Sequence, residues 1–320
     1  MSTPAATESG LATSLRRFFH YYRHLPVSVG HSLLRRSLRA LLKRHQIITL
    51  HNGIRLQVDL DRVVQHTIFW LDGDMEPQLE WVIRELLPIG GTCVDCGANC
   101  GLIGLLARRL RGAEVLFVEP HPRLADDVRR NIELNRWEHA CRLVEAAASD
   151  TAGEATLFES VDYDGSHSLL ADWIKNKPGR PQIKVRMTTL KSILREHSKF
   201  ERVDLLKVDA EGHDLAILRG LGDWLDPRRI PVIYVELARD REEGIQLLES
   251  SGYAGFGYRQ LRRKPMRRLM ARYGSGEPVA VFHPLRRTPD FTGESLWVGA
   301  GSGQAGFLKA VAADALAQPR

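Results

Sequence analysis

The chain is 320 residues long, 43% hydrophobic and 26% charged. That is the make-up of a soluble globular protein with room for one large α/β domain plus additions, or two small domains. No apolar run reaches the ~18 residues a membrane span needs, and the amino-terminal stretch is polar from Ser2 to Gly10 and then interrupted by Arg16-Arg17, unlike a secretory leader; the expected location is the cytoplasm. The net charge of +6 leaves nucleic acid, an anionic membrane surface and an acidic substrate open as partners.

Residues 1–10 read as a disordered tail and 11–87 as an N-terminal cap of helices and a β-hairpin. Helical patterning over 11–45 is divided at Pro26. There Leu33, Leu34, Leu38, Leu41 and Leu42 recur at helical spacing beside Arg16, Arg17, Arg23, Arg35, Arg36, Arg39, Lys43 and Arg44. This is an amphipathic basic helix that packs on its own protein or rests on an anionic surface. Ile47–Leu50 and Ile54–Val58 flank His51-Asn52-Gly53, a hairpin on an Asn-Gly turn, and a helix follows around Pro77 to Leu87.

From 88 to 298 the pattern alternates. Strands end near Asp95, Glu119, Ala146, Asp209 and Glu236, with helices at 102–110, 123–135, 188–197 and 213–220 between them. Such alternation predicts an α/β domain with a parallel, doubly wound sheet. The segment from Ala152 to Val185 departs from it: Gly153–Phe158 and Ile183–Met187 read as extra strands around a polar loop, Asp162 to His167, a candidate lid or acceptor wall. A helix over Arg241–Ser250 and a strand over Tyr253–Phe256 lead to a basic segment, 259–273, expected to form a mobile flap or an anionic-surface contact. No aromatic residue lies between Arg259 and Arg272, so the stacking surface of a single-strand reader is missing and no sequence-specific nucleic-acid binding is expected. Strands over Val279–Phe282 and Leu296–Val298 precede a tail, 299–320, rich in Gly and then Ala.

The densest chemistry begins at Asp95-Cys96-Gly97-Ala98-Asn99-Cys100-Gly101. An apolar strand ends in an acid, and a small-residue turn opens a helix. Gly97 and Gly101 leave room for a ligand against the backbone, at the strand edge where ligands of such sheets sit. The acid argues against a pyrophosphate and for a cationic ligand; S-adenosylmethionine, with an ammonium, a sulfonium and no phosphate, fits. Glu119 ends the next strand, placed to accept hydrogen bonds from ribose hydroxyls. Cys93, Cys96 and Cys100 form C-x2-C-x3-C, but Cys93 and Cys96 point to opposite faces. They read as buried hydrophobes, so no metal site and no disulfide is expected.

A second cluster, Lys207-Val208-Asp209-Ala210-Glu211-Gly212-His213-Asp214, follows another apolar strand onto the same edge. Asp214 reads as a helix cap, and catalysis or acceptor binding falls to Asp209, Glu211 or His213. Lys207 neutralises the acids around it or merely brackets the strand. Together the stretch from Thr92 to Glu236 resembles the FkbM-type S-adenosylmethionine-dependent methyltransferases. Residues 95–101 are similar to D-x-G-A-N-x-G, Val118-Glu119-Pro120 to an E-P element, and Ala146–Asp150 with Gly153 to the next strand and turn. Residues 207–214 are similar to K-x-D-x-E-G-x-E, and Leu218-Arg219-Gly220 to L-x-G. Thr189-Leu190-Lys191 departs from the T-L-D often found there.

The resemblance implies a Rossmann-like class I methyltransferase fold over 88–298 and a cofactor-binding set of Asp95, Gly97, Ala98, Asn99, Gly101, Glu119, Pro120, Ala146 and Asp209. It also implies O-methylation of a hydroxyl on a sugar, polyketide or lipid-linked metabolite. His213 has the pKa of a general base. Asp209 is the alternative base and equally a cofactor ligand, and Glu211 orients His213 or an acceptor hydroxyl. RNA or small-molecule N-methylation, and a non-catalytic nucleotide-binding module, are the competing readings.

Overall fold

The computed structural model describes residues 41–160, 165–173, 181–258, 282–285 and 294–316, with 10 and 13–15. Residues 1–9 of the expected tail, the basic segment 16–40, the basic segment 259–273 and Val279–Val281 lie outside the described residues. Of the first basic cluster, Lys43 and Arg44 are placed, and the Arg44 guanidinium grips Asp59 at 2.8 and 2.9 Å.

The hairpin forms as expected. β1 (His45–Thr49) pairs antiparallel with β2 (Arg55–Asp59), and Gly53, at φ 86, closes the turn by donating its N–H to the Leu50 carbonyl at 2.8 Å. Next comes α1 (Val63–Leu71), which the sequence reading missed, then α2 (Pro77–Leu86). Val63, Val64, Thr67 and Ile68 are β-branched, so propensity obscures α1; burial of Ile68, Phe69 and Trp70 is what holds it.

The central sheet has eight strands in the order β12-β11-β13-β10-β9-β3-β4-β5. These are β3 (Thr92–Cys96), β4 (Glu114–Val118), β5 (Cys141–Val144), β9 (Leu205–Val208), β10 (Val232–Glu236), β11 (Tyr253–Tyr258), β12 (Phe282–Pro284) and β13 (Glu294–Gly299). The expectation of an all-parallel sheet holds from β5 to β10. It fails at the far edge, where β13 inserts antiparallel between β10 and β11, and β12 is antiparallel to β11. The winding reverses between β3 and β9, the switch point at which ligands of doubly wound sheets bind.

Helices cover both faces. α3 (Leu102–Arg111), α4 (Pro122–Asn135), α2 and the hairpin pack on the face that carries Cys93 and Phe117. α5 (Leu190–Glu196), α6 (Asp214–Arg219) and α7 (Arg241–Ser250) pack on the face that carries Val94 and Cys96. Cys93 and Cys96 are therefore buried on opposite faces, as expected. The cap is fastened to the domain: Asn131 and Asn135 of α4 take the outward N–H groups of Gln57 and Arg55 at 2.8 and 2.9 Å, satisfying an edge that would otherwise recruit another strand. A buried ion pair joins Arg62 to Asp127.

Two segments differ from the reading. The chain leaves the central sheet after Val144, and β6 (Ala147–Ser149), β7 (Gly153–Phe158) and β8 (Gln182–Thr189) form a separate sheet in the order β6-β8-β7. The Gly/Ala-rich tail folds into α8 (Gly303–Leu316), whose Ala305, Leu308 and Ala312 are buried. Among the described residues no helix is long and apolar enough to cross a membrane.

Candidate active site

The loop after β3 is held from both sides. Gly97 and Ala98 donate their N–H groups to the Val118 carbonyl at 2.9 and 3.3 Å. Asn99, in the left-handed region at φ 52, donates its N–H to Glu119 Oε2 at 2.8 Å. Gly97 sits at φ 73, and a Cβ there would lie 1.8 Å from the Asp209 carbonyl oxygen, so only glycine lets the two loops meet.

Asp95 and Lys207 are register partners on β3 and β9. Lys207 Nζ donates to the Gly97 carbonyl at 2.7 Å and stands 3.4 Å from Asp95 and 3.3 Å from Asp209. Asp95 also accepts the Gly104 N–H at 2.9 Å, tying β3 to the first turn of α3. Burial raises the Asp95 pKa, and Lys207 and the Gly104 N–H hold it back. Burial also works against the Lys207 ammonium, but Asp209, Asp95 and Glu76 outweigh it and keep its pKa above the ordinary lysine value.

A cleft with about 1090 Å³ of empty space, its open mouth included, lies over this edge. Gly97, Ala98, Asn99, Glu119, Pro120, Ala146, Asp209, Glu211 and His213 all line it. Asp95 and Gly101 do not. Asp95 is fully buried beneath the loop, and Gly101, at φ 85, packs over Phe117 and Val128. These two stand beneath the loop and support it.

Glu119 uses one lone pair on each oxygen, for the N–H groups of Asn99 and His121 (2.8 and 2.9 Å), and keeps others for a diol. Burial raises it to about 7 against those two N–H groups.

The second cluster folds differently from the expectation. Asp214 does not cap α6; it reaches back to accept the Ala210 and Gly212 N–H groups at 2.8 and 3.2 Å, closing its own loop. Burial raises it to about 7. Glu211, at φ 49, is paired with Trp173, whose Nε1–H donates to it at 2.9 Å, and not with His213. His213 Nε2 lies 2.9 Å from Ser149 Oγ, which itself donates to Asp150 at 3.2 Å. Burial lowers the imidazole pKa, with Asp150 pulling the other way.

Of the insertion between β7 and β8, residues 161–164 and 174–180 lie outside the described residues, and part of the rest lines the cleft. Gly165, His167 and Leu169 line the cleft, Ser168 Oγ donates to the Glu211 carbonyl at 2.8 Å, and the Trp173 ring lies against Gly212. His167 stacks on His121 at 4.6 Å and accepts the Ser160 N–H at 3.0 Å. Burial lowers it to about 4, so it stays neutral across the physiological range. The sequence reading missed the cap's contribution: Val64, Ile68, Met75 and Glu76 complete the lining. The only local signal was an acid immediately before Pro77.

The lining suits a cationic, phosphate-free nucleoside. Lys207 is the one lysine or arginine among the described lining residues, and it is already engaged by Gly97, Asp95 and Asp209, which leaves nothing for a pyrophosphate. Strand order, switch-point cleft and acidic strand ends define an α/β methyltransferase of the class I type. The family model "Methyltransferase FkbM domain" matches residues 95–274. The chain is 30% identical over 195 residues to "Methyltransferase sdnD" of Sordaria araneosa, covering 52% of this chain and 75% of that one. It is 29% identical over 181 residues to "Methyltransferase 1" of Beauveria bassiana, covering 50% and 71%. The solved M. jannaschii TYW2 in complex with AdoMet aligns over 80% of this chain and 86% of its own at 12% identity, with a TM-score of 0.37, a likeness too low to carry an inference. The chain belongs to the FkbM methyltransferase family, and its cofactor is S-adenosylmethionine.

Proposed function

We propose that this enzyme O-methylates a hydroxyl of a sugar, polyketide or lipid-linked metabolite, with His213 as the proton acceptor. One observation carries the reading: on the cleft that holds the Gly97–Asn99 loop, an imidazole whose pKa burial lowers is held at Nε2 by Ser149 Oγ. In the tautomer that lets Ser149 Oγ donate to Asp150 at 3.2 Å, the hydroxyl accepts from His213 Nε2–H. That tautomer leaves the Nδ1 lone pair to take a proton.

When bound, S-adenosylmethionine supplies the activated methyl group. The protein's part is to align, to exclude water and to move one proton. An alcohol is a weak nucleophile at neutral pH, so the proton leaves the acceptor oxygen for His213 Nδ1 as the oxygen gains its methyl. Asp209, held by Lys207 at 3.3 Å, is a second group for the acceptor hydroxyl or the cofactor. Glu119 and the 97–99 loop hold the ribose. Glu211 shapes the site through Trp173 and the insertion wall. The four free, buried cysteines accord with a cytoplasmic location, where thiols stay reduced.

Incubation of the enzyme and methyl-labelled cofactor with an extract identifies the acceptor. With that acceptor, His213→Ala lowers kcat by about 10²–10⁴-fold, cofactor binding changes little, and the lower limb of the pH–rate profile disappears. Near-normal turnover in the variant removes His213 from the role, and label found only on nitrogen overturns O-methylation.

A further inference from the structure

We infer that the carboxylate of Glu76, supplied by the N-terminal cap, receives the α-ammonium at the amino-acid end of the cofactor. The inference rests on the reading of the cleft as the cofactor site and adds a residue outside the matched family domain, which begins at 95.

Strand order sets the direction of the ligand. Across the cleft run β5, β4, β3 and β9, so Glu119 after β4 and Asp209 after β9 stand on opposite sides of the 97–99 loop. Beyond Glu119, Ala146, Ala147, Ala148, Leu157 and Leu169 make an apolar slot suited to a flat base. A nucleoside with its ribose on Glu119 and its base in that slot extends its remaining arm over the loop toward β9. That arm of S-adenosylmethionine ends in an amino acid.

Carboxylates await it there. Lys207 is the only lysine or arginine among the described lining residues and is already bonded to Gly97. Asp209 and Glu76 are the acids beside it. Glu76 precedes Pro77, the first residue of α2, and the opening turn of that helix is pinned to the sheet by Gln78, whose Nε2 donates to Glu294 at 3.2 Å. Glu294 pairs in register with Glu236 at the carboxyl end of β10, so the pin holds Glu76 over the ligand-binding edge. Among the described residues nothing donates a hydrogen bond to the Glu76 carboxylate. Burial raises it to about 8, Lys207 opposes the shift, and Asp209, Glu294 and Asp95 add to it. An arriving ammonium relieves that crowding of negative charge and gives Glu76 a partner.

The test compares two ligands by calorimetry. S-adenosylhomocysteine carries the amino-acid end; methylthioadenosine keeps the adenosine and sulfur and lacks it. Glu76→Gln should weaken S-adenosylhomocysteine roughly 10- to 100-fold, the effect of losing a charged hydrogen bond, and leave methylthioadenosine unchanged. Glu119→Ala should weaken both. Retained methylthioadenosine binding also shows that the Glu76 variant is folded. Wild-type affinity for S-adenosylhomocysteine in Glu76→Gln, or equal weakening of both ligands, overturns the role of Glu76 alone. A wild-type protein that binds neither ligand overturns the reading of the cleft itself.

Discussion

Lys207→Met tests whether the buried pair beneath the loop holds the two halves of the sheet together. Two unit charges 3.4 Å apart attract by about 5 kcal/mol at an effective dielectric near 20. Removing one member of a buried pair typically costs ~3–5 kcal/mol, because the other charge is left without compensation. Asp95 is fully buried and keeps only the Gly104 N–H, so a loss of about 3–5 kcal/mol is expected near pH 8. The sign with pH follows from the shift. Asp95 is already raised by burial, and without Lys207 it rises further, as does Glu76, which shares that lysine. A carboxyl whose folded pKa exceeds its unfolded value binds more protons when folded, so its stability contribution falls as pH rises between the two values. The deficit of the variant relative to wild type is therefore largest near pH 8 and shrinks toward the ordinary carboxylate range of about 4. Urea unfolding at pH 5.5 and pH 8 measures it, and Asp95→Asn added to Lys207→Met should recover most of the loss. A cost below about 1 kcal/mol, a deficit independent of pH, or no recovery in the double variant would refute the reasoning.

Glu119→Ala should weaken S-adenosylhomocysteine by roughly 1–3 kcal/mol in calorimetry; an unchanged affinity makes Glu119 a loop clamp only. Because burial pushes Glu119 up to about 7 and the diol needs its ionised form, wild-type affinity for methylthioadenosine, which lacks the amino-acid end, should fall as pH drops through that value and lose that dependence in Glu119→Gln. Gly97→Ala places a Cβ 1.8 Å from a backbone oxygen at φ 73, where no side chain can yield. The left-handed conformation alone costs about 1–2 kcal/mol, so thermal stability and cofactor binding should both drop, and a variant unchanged in both would contradict the close approach of the two loops.

The alternation of strands and helices was legible because each core element carries its own period, and the acids at 95, 119 and 209 were found by their place at strand ends. What Asp95 does there was not legible. Its side chain turns to the sheet face that carries Lys207, and a linear motif does not say that an acid at the ligand edge lies under the loop. Asp214 fits a cap by position, yet its carboxylate turns back to Ala210 because the loop closes tightly at Gly212. Trp173 reaches Glu211 from 38 residues earlier in the chain and Glu76 reaches the cleft from the cap, and neither has a local pattern that announces the contact. The antiparallel edge escaped for a related reason: β13 has an ordinary strand period, and pairing order is set by packing against β10 and β11, not by local sequence.

The place of β13 also bears on how the protein is made. It is the neighbour of β10, but residues 237–293 separate them in the chain. During synthesis at roughly 5–20 residues per second, Val232–Glu236 waits several seconds with one hydrogen-bonding edge open. Four of its five residues are buried in the finished protein, so the waiting edge is an apolar template for a neighbouring nascent chain. β11 emerges first but cannot close the gap, since its partners in the sheet are β12 and β13. Closure of the sheet, with α8 packed behind it, thus waits for the last of its eight strands in chain order.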